Sequence, residues 1–218
     1  PLLQHLSQEG DRFGEYCKRL FPHGVEIGKD DDKTPKNRRV RSYTASKSPA
    51  SLENLVEQTY HHLMDSQDHN KRVTLFEGAI RHGSFYARPD ILDKIVTSDG
   101  ASNTIELRVI EVKSKSWNSQ YTIEEKMWTR KGGIISTYLP HIHDIAFQTM
   151  VFRLVYPDVQ HVSSWLMMPD RAKAMKSNPI NEMYADNHEM DEDDMIPTLE
   201  DTIQSIDKSI ASLLNVDE

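Results

Sequence analysis

Three charged residues stand inside two segments that otherwise have the character of β-strands. Asp90 lies in ARPDILDKI (residues 87–95), and Glu111 and Lys113 lie in LRVIEVKSK (residues 107–115). Paired carboxylates can hold a hard divalent cation, and an ammonium group can stabilise the negative charge of a transition state. These three residues are therefore the first candidates for catalysis.

The turn between the two segments decides which of these residues face each other. SDGA (residues 98–101) contains Asp-Gly, a favoured hairpin signal, and a hairpin centred in it places Asp90 opposite Glu111. Like charges at such positions, about 5 Å apart at Cβ, repel each other. A divalent cation with the Val112 carbonyl oxygen as a further ligand would offset the repulsion. The structural alternative is a cross-strand ion pair between Asp90 and Lys113.

The surrounding pattern predicts the elements that position these residues. Ser51 is a candidate N-cap for a helix over residues 48–68. Alternating apolar runs and turn residues predict three strands, then a helix and a fourth strand: 72–80, 84–96, 104–113, 139–157 and 161–168. Short turns favour an antiparallel meander, and the crossover helix permits parallel pairing of the fourth strand. The predicted fold class is α/β, with a mixed sheet flanked by helices.

The flanking regions divide the chain into three parts. Residues 1–50 carry a predicted helix (2–21) and a basic loop (28–50) appended to the core, which is assigned to residues 51–168. Residues 169–218 combine an irregular acidic segment (169–198) with a C-terminal amphipathic helix (199–214).

Composition narrows the class of protein. The chain has 218 residues and a formal net charge of −8, which argues against non-specific nucleic-acid binding over the whole surface. No run approaches the 18 apolar residues of a transmembrane helix, so no membrane partner is expected. Cys17 is the single cysteine, which suits a reducing compartment and predicts an intracellular protein, cytoplasmic if bacterial. The chain begins without Met, which is consistent with a piece trimmed from a longer protein. Further domains or partner proteins are therefore included among the expected partners.

The order of the motifs adds a likeness to a known group of enzymes. RPD (88–90), IEVKS (110–114) and DIAFQ (144–148) together resemble the PD-(D/E)XK nuclease superfamily. Within it, the chain is most similar to RecB-like and CRISPR-adaptation-type exonucleases and to a bacterial group of RecB-like domains. This resemblance implies a restriction-endonuclease-like core in the order αβββαβ.

The resemblance also implies roles for individual residues. Asp90 and Glu111 would hold Mg²⁺ or Mn²⁺, with Lys113 and Gln148 completing the catalytic set. Glu77 or Glu57 would serve a second ion, and one or two ions remain open alternatives. Glu77 has an equal alternative role as the partner of a nearby arginine. Some relatives use a histidine from an early helix, for which His61 and His62 are weak candidates.

The expected activity is metal-dependent hydrolysis of DNA, exonucleolytic or directed at single strands or ends, in repair, recombination or defence. RNA is an alternative substrate. Basic and aromatic residues near the Glu-X-Lys strand are the candidates for nucleic-acid contact: Lys115, Lys126, Arg130, Lys131 and Tyr138. Two rival hypotheses are a catalytically silent nuclease-like binding module of a larger protein and a structural domain in which the charges form a stabilising pair.

Overall fold

A central β-sheet with helices on both faces organises the chain. The computed structural model describes residues 2–28, 51–64, 72–98, 103–174 and 211–217. The helices in this part are α1 (Leu2–Arg19), α2 (Leu52–Met64), α3 (Ile123–Met127), α4 (Leu139–Val155) and α5 (Arg171–Ala174). The strands are β1 (Val25–Glu26), β2 (Val73–Phe76), β3 (Ile80–His82), β4 (Phe85–Ala87), β5 (Ile91–Ser98), β6 (Asn103–Val112), β7 (His161–Pro169) and β8 (Ala211–Asn215).

The sheet is mixed, as the sequence predicts. Within the described residues it has six strands in the order β1-β2-β5-β6-β7-β8. β2, β5 and β6 pair antiparallel, and β7 pairs parallel to β6 after the α4 crossover. β1 is parallel to β2, and β8 is antiparallel to β7. The parallel step requires a long connection, which α4 provides.

The β5–β6 hairpin has the predicted register. Its ladder runs from Ile91 opposite Ile110 to Ser98 opposite Asn103. Asp90 and Glu111 are therefore the next facing positions beyond the last pair. Residues 99–102, the centre of the predicted turn, lie outside the described residues.

The predicted strand over residues 84–96 is divided in two. β4 ends at Ala87, and β5 begins at Ile91, because Pro89 has no N–H to donate to a ladder. β4 instead pairs with β3 in a separate two-stranded sheet, with Ile80 opposite Ala87. The chain thus leaves the main sheet after β2 and re-enters it at Ile91.

Apolar side chains of opposite strand faces build two cores. On one face, α1 packs Phe13 and Cys17 with Ile91, Ile110 and Met167. The helix predicted over residues 2–21 is thereby confirmed, and it covers the sheet. On the other face, α2 and α4 pack on the strands. This core includes Leu55 of α2, Ile145 and Phe152 of α4, and the strand residues Leu92, Leu107, Val109 and Leu166. The sheet end that carries Asp90 and Glu111 therefore lies between helical layers.

Two further predictions concern an N-cap and the C-terminal helix, and the structure confirms the first and contradicts the second. Ser51 caps α2, because its Oγ accepts the Asn54 N–H at 3.2 Å. The predicted C-terminal helix is wrong for residues 211–214, which belong to β8 and pair with β7. Tertiary pairing prevails there over the helical spacing of the apolar residues.

Other predictions fall partly outside the described residues. The basic loop beyond residue 28, the acidic segment from 175 and residues 199–210 are among these. Within the segment predicted to be irregular, residues 171–174 form the short helix α5. In the described part of the chain, no helix is both long enough and apolar enough to cross a membrane.

Candidate active site

Asp90 is fastened to the end of the sheet by two backbone contacts. Its Oδ2 accepts the Val112 N–H at 2.7 Å, so the carboxylate bridges from β5 to β6. Its own carbonyl oxygen accepts the Glu77 N–H at 3.0 Å, which ties it to the end of β2. Three strands of the sheet thus determine where this carboxylate lies.

The environment of Asp90 disfavours its charge. Burial is the largest cause, followed by the nearby carboxylate of Glu111, and together they raise the pKa of Asp90 to about 7. Glu77 adds to the shift, whereas the Val112 N–H and the charge of Lys113 oppose it. A cation between the two carboxylates would offset their mutual repulsion.

Lys113 lies between two carboxylates. Its Nζ donates to Glu111 Oε1 at 2.7 Å and to Asp144 Oδ2 at 2.8 Å. Burial acts to lower the pKa of Lys113, but the hydrogen bonds to Asp144 and Glu111 outweigh it and raise that pKa above its ordinary value. Lys113 is consequently a charged ammonium group at neutral pH.

Gln148 joins the same two carboxylates from α4. Its Nε2 donates to Glu111 Oε2 at 2.9 Å and to Asp144 Oδ1 at 3.2 Å. The side chain is buried, and its Oε1 has no hydrogen-bond partner among the described residues. Such an orphaned acceptor indicates a place for a water or another donor beside the carboxylates.

Asp144 is the residue that the sequence reasoning missed. His141 and His143, which both precede it, give this part of the chain the polar character of an exposed helix start. The available signal was the spacing of Asp144 and Gln148, which lie one turn apart on α4 and so share a face. Burial raises the pKa of Asp144, but hydrogen bonds from Lys113 and Gln148 outweigh that effect and hold it below its ordinary value.

A cleft of about 520 Å³ opens at this end of the sheet. Its wall includes Gly10 and Gly14 of α1, which present no side chain to the space, and also Glu77, Asp90, Glu111 and Lys113. Glu77 has φ 56°, a left-handed conformation that is uncommon for residues other than glycine. Its carboxylate also pairs with Arg88 at 3.3 Å, the predicted alternative role.

The oxygen atoms in the cleft are of the type that a hard cation prefers as ligands. Asp90 and Glu111 carry carboxylate oxygens of this type. The carbonyl of Val112 points to the Asp90 side because the N–H of the same extended residue does. No group of three or more His, Cys, Asp or Glu side chains with metal-binding geometry occurs in the described part. A cation would therefore have two carboxylates and backbone or solvent oxygens. Glu57 does not line the cleft and lies 3.8 Å from His61.

The candidates for nucleic-acid contact fall into two groups. Lys115 follows the cleft residue Ser114, and its Nζ lies 4.2 Å from the ring centroid of Tyr138, so this pair is beside the site. The other three are on α3 or in the turn after it and do not line the cleft: Lys126, Arg130 and Lys131. Lys126 instead stacks on Tyr121, with Nζ 3.7 Å from the ring centroid.

The structure thus brings together the four residues expected to be catalytic and adds a fifth, Asp144. Their side chains come from the ends of β5 and β6 and from one face of α4. Comparison of the chain with protein-family models, with curated proteins and with solved structures finds no significant match to any of them.

Proposed function

We propose that the protein is a metal-dependent nuclease that hydrolyses phosphodiester bonds of DNA. The observation that carries this proposal is the meeting of Asp90, Glu111, Lys113 and Gln148 at one end of the sheet. Two facing carboxylates, an ammonium group and an amide form the kind of set that phosphoryl chemistry uses, in which cations neutralise the charge of the phosphate.

The architecture supports a restriction-endonuclease-like fold and membership of the PD-(D/E)XK superfamily. Three antiparallel strands, a crossover helix and a parallel fourth strand follow the order implied by the resemblance. The hairpin β3–β4 is inserted into that order between β2 and β5. The inserted hairpin leaves the facing positions of Asp90 and Glu111 unchanged.

Each residue has a distinct role in this proposal. Asp90 and Glu111 would hold Mg²⁺ or Mn²⁺, with the Val112 carbonyl as a further ligand. When bound, the cation would neutralise phosphate charge and activate a water. Lys113 is a compact ammonium that can stabilise charge on the phosphate oxygens. Gln148 orients Glu111 through its hydrogen bond to Oε2.

The substrate is proposed to reach the cleft past the Lys115–Tyr138 pair, of which Lys115 follows the cleft residue Ser114 in the chain. Lys115 supplies positive charge for a phosphate, and Tyr138 supplies a ring on which a base can stack. Since these groups read no base edges, the proposed specificity is for single strands or ends rather than for a sequence. Repair, recombination or defence are the processes that use such an activity.

Cleavage of end-labelled DNA tests the proposal. Single- and double-stranded substrates would be incubated with Mn²⁺, with Mg²⁺ or with a chelator. The wild type should cut only with metal, and Lys113→Met should cut more slowly by a factor of about 100 or more. Asp158→Asn, an exposed change beyond the far end of α4, serves as the matched control and should cut normally.

The outcomes separate the hypotheses. Equal cutting by wild type and Lys113→Met would show that the activity does not come from this site. DNA binding without cutting, on every substrate and with both metals, would contradict the nuclease proposal and favour the binding module. Absence of both binding and cutting on DNA would direct the same assay to RNA and overturn the DNA assignment.

A further inference from the structure

We infer that Asp144 is a positioning residue that holds Lys113 and so keeps Glu111 available to a divalent cation. This inference rests on the cation site of the proposed function. Asp144 does not line the cleft, so it is not inferred to be a ligand itself. Its effect on the cation would pass through the ammonium group of Lys113.

The hydrogen bonds form a closed ring of four side chains. Lys113 links Glu111 and Asp144 at one side, with distances of 2.7 and 2.8 Å. Gln148 links the same two carboxylates at the other side, with distances of 2.9 and 3.2 Å. Both oxygens of Glu111 and both of Asp144 are therefore engaged by this pair of donors.

This arrangement creates competition at Glu111. Glu111 accepts a hydrogen bond from Lys113 and is also a proposed ligand, and a divalent cation close to the ammonium group would be repelled by it. Lys113 has to relax away from Glu111 when a cation binds. Asp144 gives it a second carboxylate on a different element, α4, so that the ammonium can shift without losing its charge partner.

Burial distinguishes the two carboxylates. The Glu111 side chain is 10% exposed, whereas that of Asp144 is 43% exposed. Glu111 is thus the buried carboxylate next to Asp90. Asp144 is the more exposed carboxylate and binds Lys113 from the solvent side. Without Asp144, Lys113 would have Glu111 as its one carboxylate partner in this ring and would compete more strongly with the cation.

Mn²⁺ binding by four forms of the full chain tests this coupling. The forms are the wild type, Asp144→Asn, Lys113→Met and the double variant, titrated with Mn²⁺ alone by calorimetry or electron paramagnetic resonance. Asp144→Asn should weaken Mn²⁺ binding about tenfold in the wild-type background, as loss of an outer partner commonly does. In the Lys113→Met background the same change should alter the affinity less than about twofold, because there is no ammonium to redirect.

Several results would overturn the inference. Equal losses of affinity in the two backgrounds would show that Asp144 acts by its own charge or as a ligand. An unchanged affinity in Asp144→Asn would show that it does not act on the cation. Asp158→Asn should bind Mn²⁺ like the wild type, and thermal unfolding should show that all four forms fold.

The test is separable from that of the nuclease proposal. If the effect of Asp144→Asn on Mn²⁺ affinity depends on Lys113 and no DNA is cleaved, the inference is supported and the nuclease proposal is contradicted. A wild type that binds no Mn²⁺ would contradict both, since the cation site itself would then be absent. If DNA is cleaved with Mn²⁺ but the effect of Asp144→Asn on Mn²⁺ affinity is the same with and without Lys113, the inference alone is contradicted.

Discussion

Asp90 and Glu111 face each other one step beyond the last ladder pair of the β5–β6 hairpin, Ile91 and Ile110. The backbone of Val112 holds the first carboxylate, and side chains hold the second. The sheet thus fixes two like charges side by side. This arrangement lowers the stability of the folded protein, and the loss can be measured as a pH-dependent change in the free energy of unfolding.

Asp90→Asn should stabilise the protein without metal at alkaline pH. The folded-state pKa of about 7 lies above the ordinary value of 3.8, so the folded protein binds more protons than the unfolded one between these values. The stabilising contribution of protonated Asp90 is present below about pH 4 and is lost as the pH rises through 7. The substituted amide would not titrate, and we expect a gain of about 1–3 kcal/mol at pH 8.

Urea unfolding in the presence of a chelator measures this difference. The two proteins should have nearly equal free energies of unfolding at pH 4 and should diverge as the pH rises. A difference that stays constant from pH 4 to pH 8 would mean that the charge of Asp90 is not its cause. Added Mn²⁺ should stabilise the wild type much more than Asp90→Asn.

Gln148→Glu should be costly in a pH-dependent way. The new carboxylate would stand between Glu111 and Asp144 in place of the amide that donates to both. We expect a loss of about 2–4 kcal/mol at pH 8 and a smaller loss at pH 5, where a shared proton can restore a donor. Gln148→Leu is the control, because its loss of hydrogen bonds should vary less with pH.

Denaturant unfolding of these two variants at both pH values is the measurement. If Gln148→Glu and Gln148→Leu lost the same stability at both, charge repulsion in the ring would be refuted. Restoration of the lost stability on acidification of Gln148→Glu alone would support it.

Glu77 lines the cleft and is the candidate ligand of a second ion, so Glu77→Gly should raise stability and lower activity. Glu77 has φ 56°, where a side chain is disfavoured by roughly 1–2 kcal/mol and glycine is not. Part of that gain is offset by the greater freedom of glycine in the unfolded chain, so about 0.5–1 kcal/mol should remain. Glu77→Ala is the matched control, since it removes the carboxylate but keeps the strained backbone.

Thermal unfolding and DNA cleavage together separate the two effects. Both variants should lose the contribution of the carboxylate to activity. Glu77→Gly should unfold at a higher temperature than Glu77→Ala. Equal unfolding temperatures for the pair would show that the backbone at residue 77 stores no strain.

Arg72→Met should destabilise the protein strongly from outside the site. Asp93 is 1% exposed and accepts from Arg72 Nε at 2.8 Å, Arg72 Nη2 at 2.7 Å and Thr74 Oγ1 at 2.8 Å. Removal of the guanidinium leaves a buried carboxylate short of donors, which costs about 3–5 kcal/mol. Chemical unfolding should show this loss, and Arg72→Met with Asp93→Leu should recover much of it. A loss below about 1 kcal/mol would mean that Asp93 is compensated elsewhere.

The sequence was most informative where local chemistry determines geometry. The Asp-Gly turn implied the register that places Asp90 opposite Glu111. Lys113 lies two residues after Glu111 in an extended segment, and side chains two residues apart in such a segment point to the same side. The sequence was less informative where distant segments decide the outcome. Asp144 has a polar, helix-start context in sequence, and only the docking of α4 on the sheet brings it to Lys113.

The strand errors have specific physical causes. Pro89 was a usable signal for the break between β4 and β5, because it cannot join a ladder. β8 had no comparable signal: Leu213 and Leu214 fit an amphipathic helix, and their strand conformation comes from pairing with Met167 and Leu166. A short apolar run of this kind takes its conformation from the partner it meets.

The position of the facing carboxylates also has a consequence for the order of folding. Asp90 and Glu111 belong to neighbouring strands that are separated by only four residues in sequence, whereas Gln148 and Asp144 arrive with α4. Local hairpins form before distant elements dock. The nascent hairpin would therefore carry its repulsion before α4 has docked, and we expect Asp90→Asn to refold faster than the wild type in stopped-flow experiments at pH 8.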